Sequence, residues 1–400
     1  MNKPKIRFKG FEGEWKKVKI GDVAPLTGGF AFQSGQFKTS GVPIIRISNI
    51  LSSGIVGGDF VYYNEFKGDS EFRLYKGDVV IAMSGATTGK VATFEANDFG
   101  YQNQRVGKFS RTNLVNYELL SKLVSAPNFQ KKIISKLTSS AQPNASSKDI
   151  DSIDLVVPEE TEEQRALASY FTSLDAQIAA STSRLSSLKQ IKAASLLNMF
   201  PQKGETVPRV RFKGFQGEWV RQRLGDISAS FSGGTPAVSV SDYYGGNIPF
   251  IRSGEIHEDR TQLYITQAGL NNSSAKIVEK GTILYALYGA TSGDVGISKL
   301  RGAINQAILA IEPTKDIDNF FLAGFLQSYK NRIINEFLQG GQGNLSGSLV
   351  KKILLAIPSL PEQRAIASYF TALDAQITLQ RERLEKLKQI KAACLEKMFA

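Results

Sequence analysis

Residues 84–91, SGATTGKV, combine two glycines, small hydroxyl residues and a lysine, the types from which phosphate-binding loops are built. A Walker A loop places four residues between its glycines and follows its lysine with a metal-binding hydroxyl. Here Gly85 and Gly89 enclose only three residues, and Val91 follows Lys90. Both departures argue against nucleotide chemistry, and the glycines read first as a tight turn. Other catalytic sets are thin. His257, in EIHEDR, is the single histidine and reads as a surface residue; Cys394 is the single cysteine. That excludes a thiolate zinc cluster and an internal disulfide, and it leaves acyl-transfer triads hanging on one residue. No Asn/Asp-Pro-Pro-Tyr/Phe stretch for base methylation occurs, and no G-x-G-x-x-G cofactor loop. The acidic run PEETEEQR (158–165) opens a predicted helix, whose dipole explains it better than a metal does. The sequence therefore offers no catalytic residues and no metal site.

The polar residues suited to recognition come in pairs, because the chain is written twice. RFKGFEGEWKKVKIGDV (7–23) returns as RFKGFQGEWVRQRLGDI (211–227), and YKGDVVIAMSGATTGK (75–90) as EKGTILYALYGATSGD (279–294). The opening loop thus has a twin in which Asp294 replaces Lys90, so what persists is backbone shape and small hydroxyls, as in a loop pressed against another surface. Looser matches align Arg46 with Arg252, Asn103-Gln104 with Asn305-Gln306, Gln142 with Gln342 and Asn144 with Asn344. Lys and Arg number 49 against 37 Asp and Glu, a net charge of +12 that attracts polyanions, nucleic acid first among them. Arginines 46 and 252 suit guanine, and Asn103, Gln104, Asn305 and Gln306 suit adenine. Ser84, Thr87, Thr88, Thr291 and Ser292 suit phosphate or bases, and Lys90 suits phosphate.

These residues need elements to carry them. Short β-branched and aromatic runs such as VPIIRIS, DVVIAM, IPFIR and TILYALYG predict a mixed sheet in each half, followed by helical stretches at 116–137 and 319–338. Each half ends in a near-copy: EQRALASYFTSLDAQIAASTSRLSSLKQIKAASLLNMF (163–200) and EQRAIASYFTALDAQITLQRERLEKLKQIKAACLEKMF (362–399). Leu167, Phe171, Leu174, Ile178, Leu185 and Leu188 follow heptad spacing, as do Ile366, Phe370, Leu373, Ile377, Leu384 and Leu387. Ser181 and Gln380 are the polar members, placed to form a register-setting polar layer. Thr161 with Gln164, and Ser359 with Glu362, read as capping boxes. Pro201 stops the first helix, and 201–209 is a linker. Such stripes must be covered, and antiparallel pairing of the two helices is the economical solution. The fold class is α/β, mixed α+β: two globular domains (1–157 and 204–357) joined by two long helical segments (158–203 and 358–400) in a coiled coil with pseudo-two-fold internal repetition. No run is long and apolar enough for a membrane helix, and the start is not a signal peptide, so a cytoplasmic protein is expected.

The duplicated F-x-GEW opening and the EQRAxASYF…LDAQI…LKQIK helix resemble the DNA-specificity subunit of type I restriction-modification systems over essentially the whole chain. The resemblance implies two target-recognition domains, each reading half of a split double-stranded DNA sequence, with the helices as spacer. It implies docking of two modification subunits that methylate adenine with S-adenosylmethionine, and of restriction subunits that use ATP and Mg. On this reading the subunit itself holds no cofactor and performs no chemistry. Two rival readings stand beside it: a nucleotide-binding enzyme using residues 84–90, and a coiled-coil scaffold without DNA specificity.

Overall fold

The computed structural model describes residues 4–138, 145–337 and 344–399; Gln142, Asn144 and Gln342 of the paired loops lie outside them. The chain divides into two compact units, residues 1–182 with 382–400, and residues 183–381. The division cuts both long helices, so each unit contains a globular head, part of the helix that follows it and part of the other helix.

In the first unit the strands are β1 (Trp15–Lys19), β2 (Leu26–Thr27), β3 (Val42–Ile45), β4 (Val61–Tyr63), β5 (Arg73–Leu74), β6 (Val79–Ala82), β7 (Val91–Thr93), β8 (Gly100–Gln102), β9 (Val106–Phe109) and β10 (Asp154–Pro158). The helices are α1 (Ile20–Val23), α2 (Tyr117–Ser125), α3 (Pro127–Thr138), α4 (Ser147–Asp151) and the start of α5 (Thr161–Asn198). Two four-stranded sheets form, in the orders β2-β9-β6-β7 and β4-β3-β8-β5, with β1-β10 as a separate pair. Strand β6, VVIA, is buried at every position because it separates two cores. Val79 and Ile81 face the core under α2 and α3; Val80 and Ala82 face the core of the other side.

The second unit repeats this order. Its strands are β11 (Val220–Arg223), β12 (Ser228–Ser232), β13 (Tyr244–Ile251), β14 (Tyr264–Ile265), β15 (Lys276–Val278), β16 (Ile283–Ala286), β17 (Val295–Ile297), β18 (Gly302–Ile304), β19 (Ile308–Pro313) and β20 (Leu354–Ile357). They pair as β12-β19-β16-β17, β14-β13-β18-β15 and β11-β20. Helices α6 (Leu224–Ile227), α7 (Gln267–Asn271), α8 (Asn319–Ser328), α9 (Lys330–Phe337) and α10 (Gly347–Lys351) precede α11 (Leu360–Met398). The predicted helical stretch at 116–137 is two helices. Ala126 adopts ψ 146, the extended state that a residue before proline prefers, and Pro127 restarts the helix. The stretch at 319–338 divides likewise at Tyr329.

Helices α5 and α11 hold 38 and 39 residues, about 57 Å each at 1.5 Å per residue. They run antiparallel in both units. In the first, Lys391 meets Asp175 at 2.6 Å, Tyr170 lies 3.5 Å from Cys394 Sγ, and Phe171 packs on Phe399. In the second, Lys192 meets Asp374 at 2.6 Å, Ser195 lies 2.8 Å from the Tyr369 hydroxyl, and Phe200 stacks on Phe370. Of the heptad residues, Leu167, Phe171, Leu174, Ile366, Phe370, Leu373, Ile377 and Leu384 are buried; Ile178, Leu185, Leu188 and Leu387 are half-buried.

Ser181 and Gln380 are both buried, as expected of members of the stripe. One expectation is corrected. The capping boxes do not form. Gln164 accepts from Asn116 N and donates to the Pro158 carbonyl, while both oxygens of Glu362 bind Arg211. A side chain in the first helical turn that finds a tertiary partner is no longer free to cap.

Candidate nucleic-acid interface

Sequence neighbours of the candidate residues decide where they point. Strand β3 runs parallel to β8, with Ile45 opposite Gln102, so Arg46 and Asn103 emerge side by side at the carboxyl ends of the two strands. The Asn103 amide donates to the Ile45 carbonyl at 3.1 Å, and Gln104 follows, exposed, in the same turn. The loop after β6 joins them: Thr87 Oγ1 donates to the Ile47 carbonyl at 3.1 Å, and the Met83 amide donates to the Arg105 carbonyl at 2.9 Å. Three loops that are far apart in sequence thereby meet at one end of the head. Arg46 is half-buried, and its Nε has no hydrogen-bond partner.

The second unit builds the same corner. Ile251 lies opposite Ile304 in the parallel pair β13–β18, which sets Arg252 beside Asn305. The Leu287 amide donates to the Ala307 carbonyl at 2.8 Å and draws in the 289–293 loop. Arg252 is exposed but not loose. Its Nε and Nη2 donate to Glu255 at 3.1 and 2.9 Å. Burial alone would raise the Glu255 carboxyl. Hydrogen bonds from Arg252, from the Gln262 and Arg252 amides and from Thr261 outweigh it and pull the group down to about 2. Glu255 thus stays charged and aims the guanidinium. Gln306 is exposed and accepts from Thr235 at 2.6 Å; Asn305 Oδ1 accepts from the Ala307 amide at 3.2 Å.

The repeated glycine loop has a shape of its own. Gly85 and Gly89 sit at φ 75 and 85, Gly289 and Gly293 at φ 75 and 77, the left-handed region that side chains avoid. The amides of Thr88, Gly89 and Lys90 donate to the carbonyls of Gly85, Ala82 and Thr87. A phosphate cradle presents its amides to the ligand from the start of a helix; here these three are spent, and strand β7 follows. This geometry counts against the nucleotide-loop reading. The hydroxyls also turn inward. Ser84 and Ser292 are only 4% and 5% exposed, and Ser292 Oγ lies 3.3 Å from the Leu287 carbonyl it donates to. Thr88 donates to the Gly85 carbonyl at 2.6 Å and Thr291 to the Tyr288 carbonyl at 3.4 Å. The hydroxyls of Ser292, Thr88 and Thr291 thus bond within the turn, whereas the buried Ser84 Oγ has no hydrogen-bond partner among the described residues. Lys90 is half-buried.

Asp294, in the Lys90 position, is occupied from two sides: His257 Nε2 lies 3.1 Å from one carboxylate oxygen and Lys330 Nζ 3.2 Å from the other. Burial works to raise Asp294, but these two partners outweigh it and hold the group below the usual carboxylate range. His257 is therefore a partner of this carboxylate, a role the sequence did not indicate. Sequence reasoning also missed Arg105, exposed beside Asn103 and Gln104, and Glu255, which directs Arg252. The repeat alignment was the available signal for Arg105, a charge at the position of Ala307 in a turn already singled out.

Residues 12–190 and 216–389 each match the family described as the type I restriction modification DNA specificity domain. A Methanocaldococcus jannaschii protein assigned as the MjaX specificity subunit of a type I restriction enzyme is 24% identical over 396 residues, 94% of this chain and 91% of that protein. The type I restriction enzyme MjaIX specificity subunit of the same organism is 30% identical over 184 residues, 42% of each chain. In fold, the chain is similar to the S subunit of a type I restriction-modification system from M. genitalium, with TM-score 0.68, 16% identity and coverage of 100% of this chain and 99% of that one. No helix among the described residues is long and apolar enough to cross a membrane.

Proposed function

The chain belongs to the type I restriction-modification DNA specificity family, and on that premise we propose that it reads a bipartite DNA sequence, one half with each head. The observation that carries this reading is the duplicated corner. Arg46, Asn103 and Gln104 in one unit, and Arg252, Asn305 and Gln306 in the other, stand at the ends of equivalent parallel strands. These side chains offer bidentate donors and acceptors to guanine and adenine edges in the major groove. Arg105 and Lys90 supply phosphate contacts in the first head. The second head has Asp294 at the Lys90 position, and the heads differ throughout their variable regions, so the two half-sites differ. The strongly basic chain adds a sequence-independent attraction that fades with salt.

The subunit supplies position, and partners supply chemistry. Two modification subunits dock on the repeated elements and bring S-adenosylmethionine; restriction subunits bring ATP and Mg. The assembly acts on double-stranded DNA in the cytoplasm. The methylated adenine must leave the base stack, so bound DNA is distorted. Methylation mapping of DNA from cells with and without the chain tests this. A two-part motif with a fixed gap is expected only when the chain is present, and exchange of residues 24–157 for another variable region changes one half of it only. Sequence-independent binding that vanishes at physiological salt would return the chain to the scaffold reading.

A further inference from the structure

Each head grips its own helix through the same set of contacts, built once in each unit. In the first, Arg7 sends Nε and Nη2 to the two oxygens of Glu163 at 2.6 and 2.7 Å, and Nη1 to the Gly13 carbonyl at 2.6 Å. In the second, Arg211 sends the same atoms to Glu362 at 2.7 and 2.7 Å and to the Gly217 carbonyl at 2.7 Å. The glutamates are buried, at 1% and 2% side-chain exposure. The next residue holds a different part of the head. Gln164 accepts from the Asn116 amide in front of α2, and Gln363 from the Asp318 amide in front of α8. Two helical turns further on, Phe8 packs edge-on against Tyr170, and Phe212 against Tyr369.

These contacts resist particular motions. Consecutive helical residues point about 100° apart around the axis, so a glutamate and a glutamine gripping separate segments oppose swivelling in a way one contact does not. The phenylalanine grip, seven residues along, lies about 10 Å further up the helix and opposes tilting. Resting on the bipartite reading above, we infer that this duplicated clamp fixes the permitted gap between half-sites, with Arg7, Glu163, Gln164 and their counterparts Arg211, Glu362 and Gln363 as positioning residues. One added base pair displaces a half-site by roughly 3.4 Å and rotates it by roughly 35° about the duplex. A head able to swivel by that amount on its helix accepts neighbouring gaps. The indole of Trp15 adds a hydrogen bond to Glu163 at 3.2 Å, whereas Trp219 Nε1 has no partner, so the first clamp is the tighter.

The test is motif mapping with the full chain carrying Glu163→Gln and Glu362→Gln, expressed with its modification subunits. Both half-sequences are expected unchanged, while sites with a gap one base pair shorter or longer, unmodified in the parent, reach about a tenth or more of the native level. Arg7→Lys with Arg211→Lys, which keeps the charge and loses the fork, relaxes the gap less. If the glutamine variant fails to accumulate, Phe8→Leu with Phe212→Leu serves by the same criterion. A single unchanged gap with uniformly lower modification would overturn the clamp's role in spacing and leave it only a stabilising contact. Absence of any two-part motif with the parent chain would instead defeat the underlying reading, and the clamp inference with it.

Discussion

Arg252→Gln is the sharpest perturbation of the second corner, because its binding and folding consequences separate. The guanidinium commits Nε to Glu255 and Nη2 to both Glu255 and Gln262, and leaves Nη1 without a partner among the described residues. Glu255 pre-aims it, and a bidentate contact to guanine through Nη1 and the Nη2 hydrogen exchanged from Gln262 discriminates by about 1–3 kcal/mol, roughly 5- to 150-fold. The folding cost is smaller. Arg252 is exposed, and an ion pair in that setting contributes about 0–1 kcal/mol. Glu255 also keeps the Gln262 and Arg252 amides and the Thr261 hydroxyl when the guanidinium is gone. The assay is competition binding at fixed ionic strength against duplexes substituted at single base pairs of the second half-site. Discrimination should collapse at one G·C pair and persist at every other position, including the whole first half-site. A uniform loss across all duplexes, with the salt slope falling by about one, would make Arg252 a phosphate ligand and refute the base contact. Unchanged discrimination everywhere would remove Arg252 from the interface altogether.

Phe370→Ala should cost about 3–5 kcal/mol in the second unit, since Phe370 is 6% exposed and stacks on Phe200 at 5.7 Å; a chemical-denaturation midpoint unmoved relative to the parent contradicts the pairing of α5 with α11 there. Acid stability tests the Asp294 arrangement. A carboxyl whose folded pKa lies below its unfolded value stabilises fully above the unfolded pKa, and that contribution is lost as pH falls through the folded one. Lys330→Met removes one of the two groups holding Asp294 down, so the acid limb of thermal melts moves to higher pH; an unshifted limb shows that Lys330 does not govern it.

Much of the architecture was legible in the sequence, because it is encoded in periodicity and repetition. The two copies announced two equivalent heads, and heptad spacing over 163–200 and 362–399 announced two long helices with one apolar stripe each. The pairing of glycines across the GAT-Thr/Ser-Gly loops identified a turn, and the left-handed φ values at Gly85 and Gly289 are what that turn requires. The partners of individual side chains lay beyond reach. A periodic stripe states that a face is buried, and Ser181 and Gln380 are buried with it, but it does not state what covers its members. Glu362, three residues after Ser359, has the same local chemistry whether it caps a helix or binds an arginine 151 residues earlier; only the packed head brings Arg211 within 2.7 Å.

The corners show the same division. Residue types alone nominated Arg46 and Asn103, which are far apart in the chain, but the parallel pairing of β3 with β8 makes them neighbours. The loop hydroxyls were nominated by type too, and the fold turned Ser84 and Ser292 into the interior. Sequence by itself determined the repeat, the long helices, the basic charge and the family. Tertiary structure decided which donors stay free, which carboxylates are held by cations and how each head is fastened to its helix. The physical reason is that periodicity and composition are properties of a segment, whereas hydrogen-bond commitment and burial depend on groups that arrive from elsewhere in the chain.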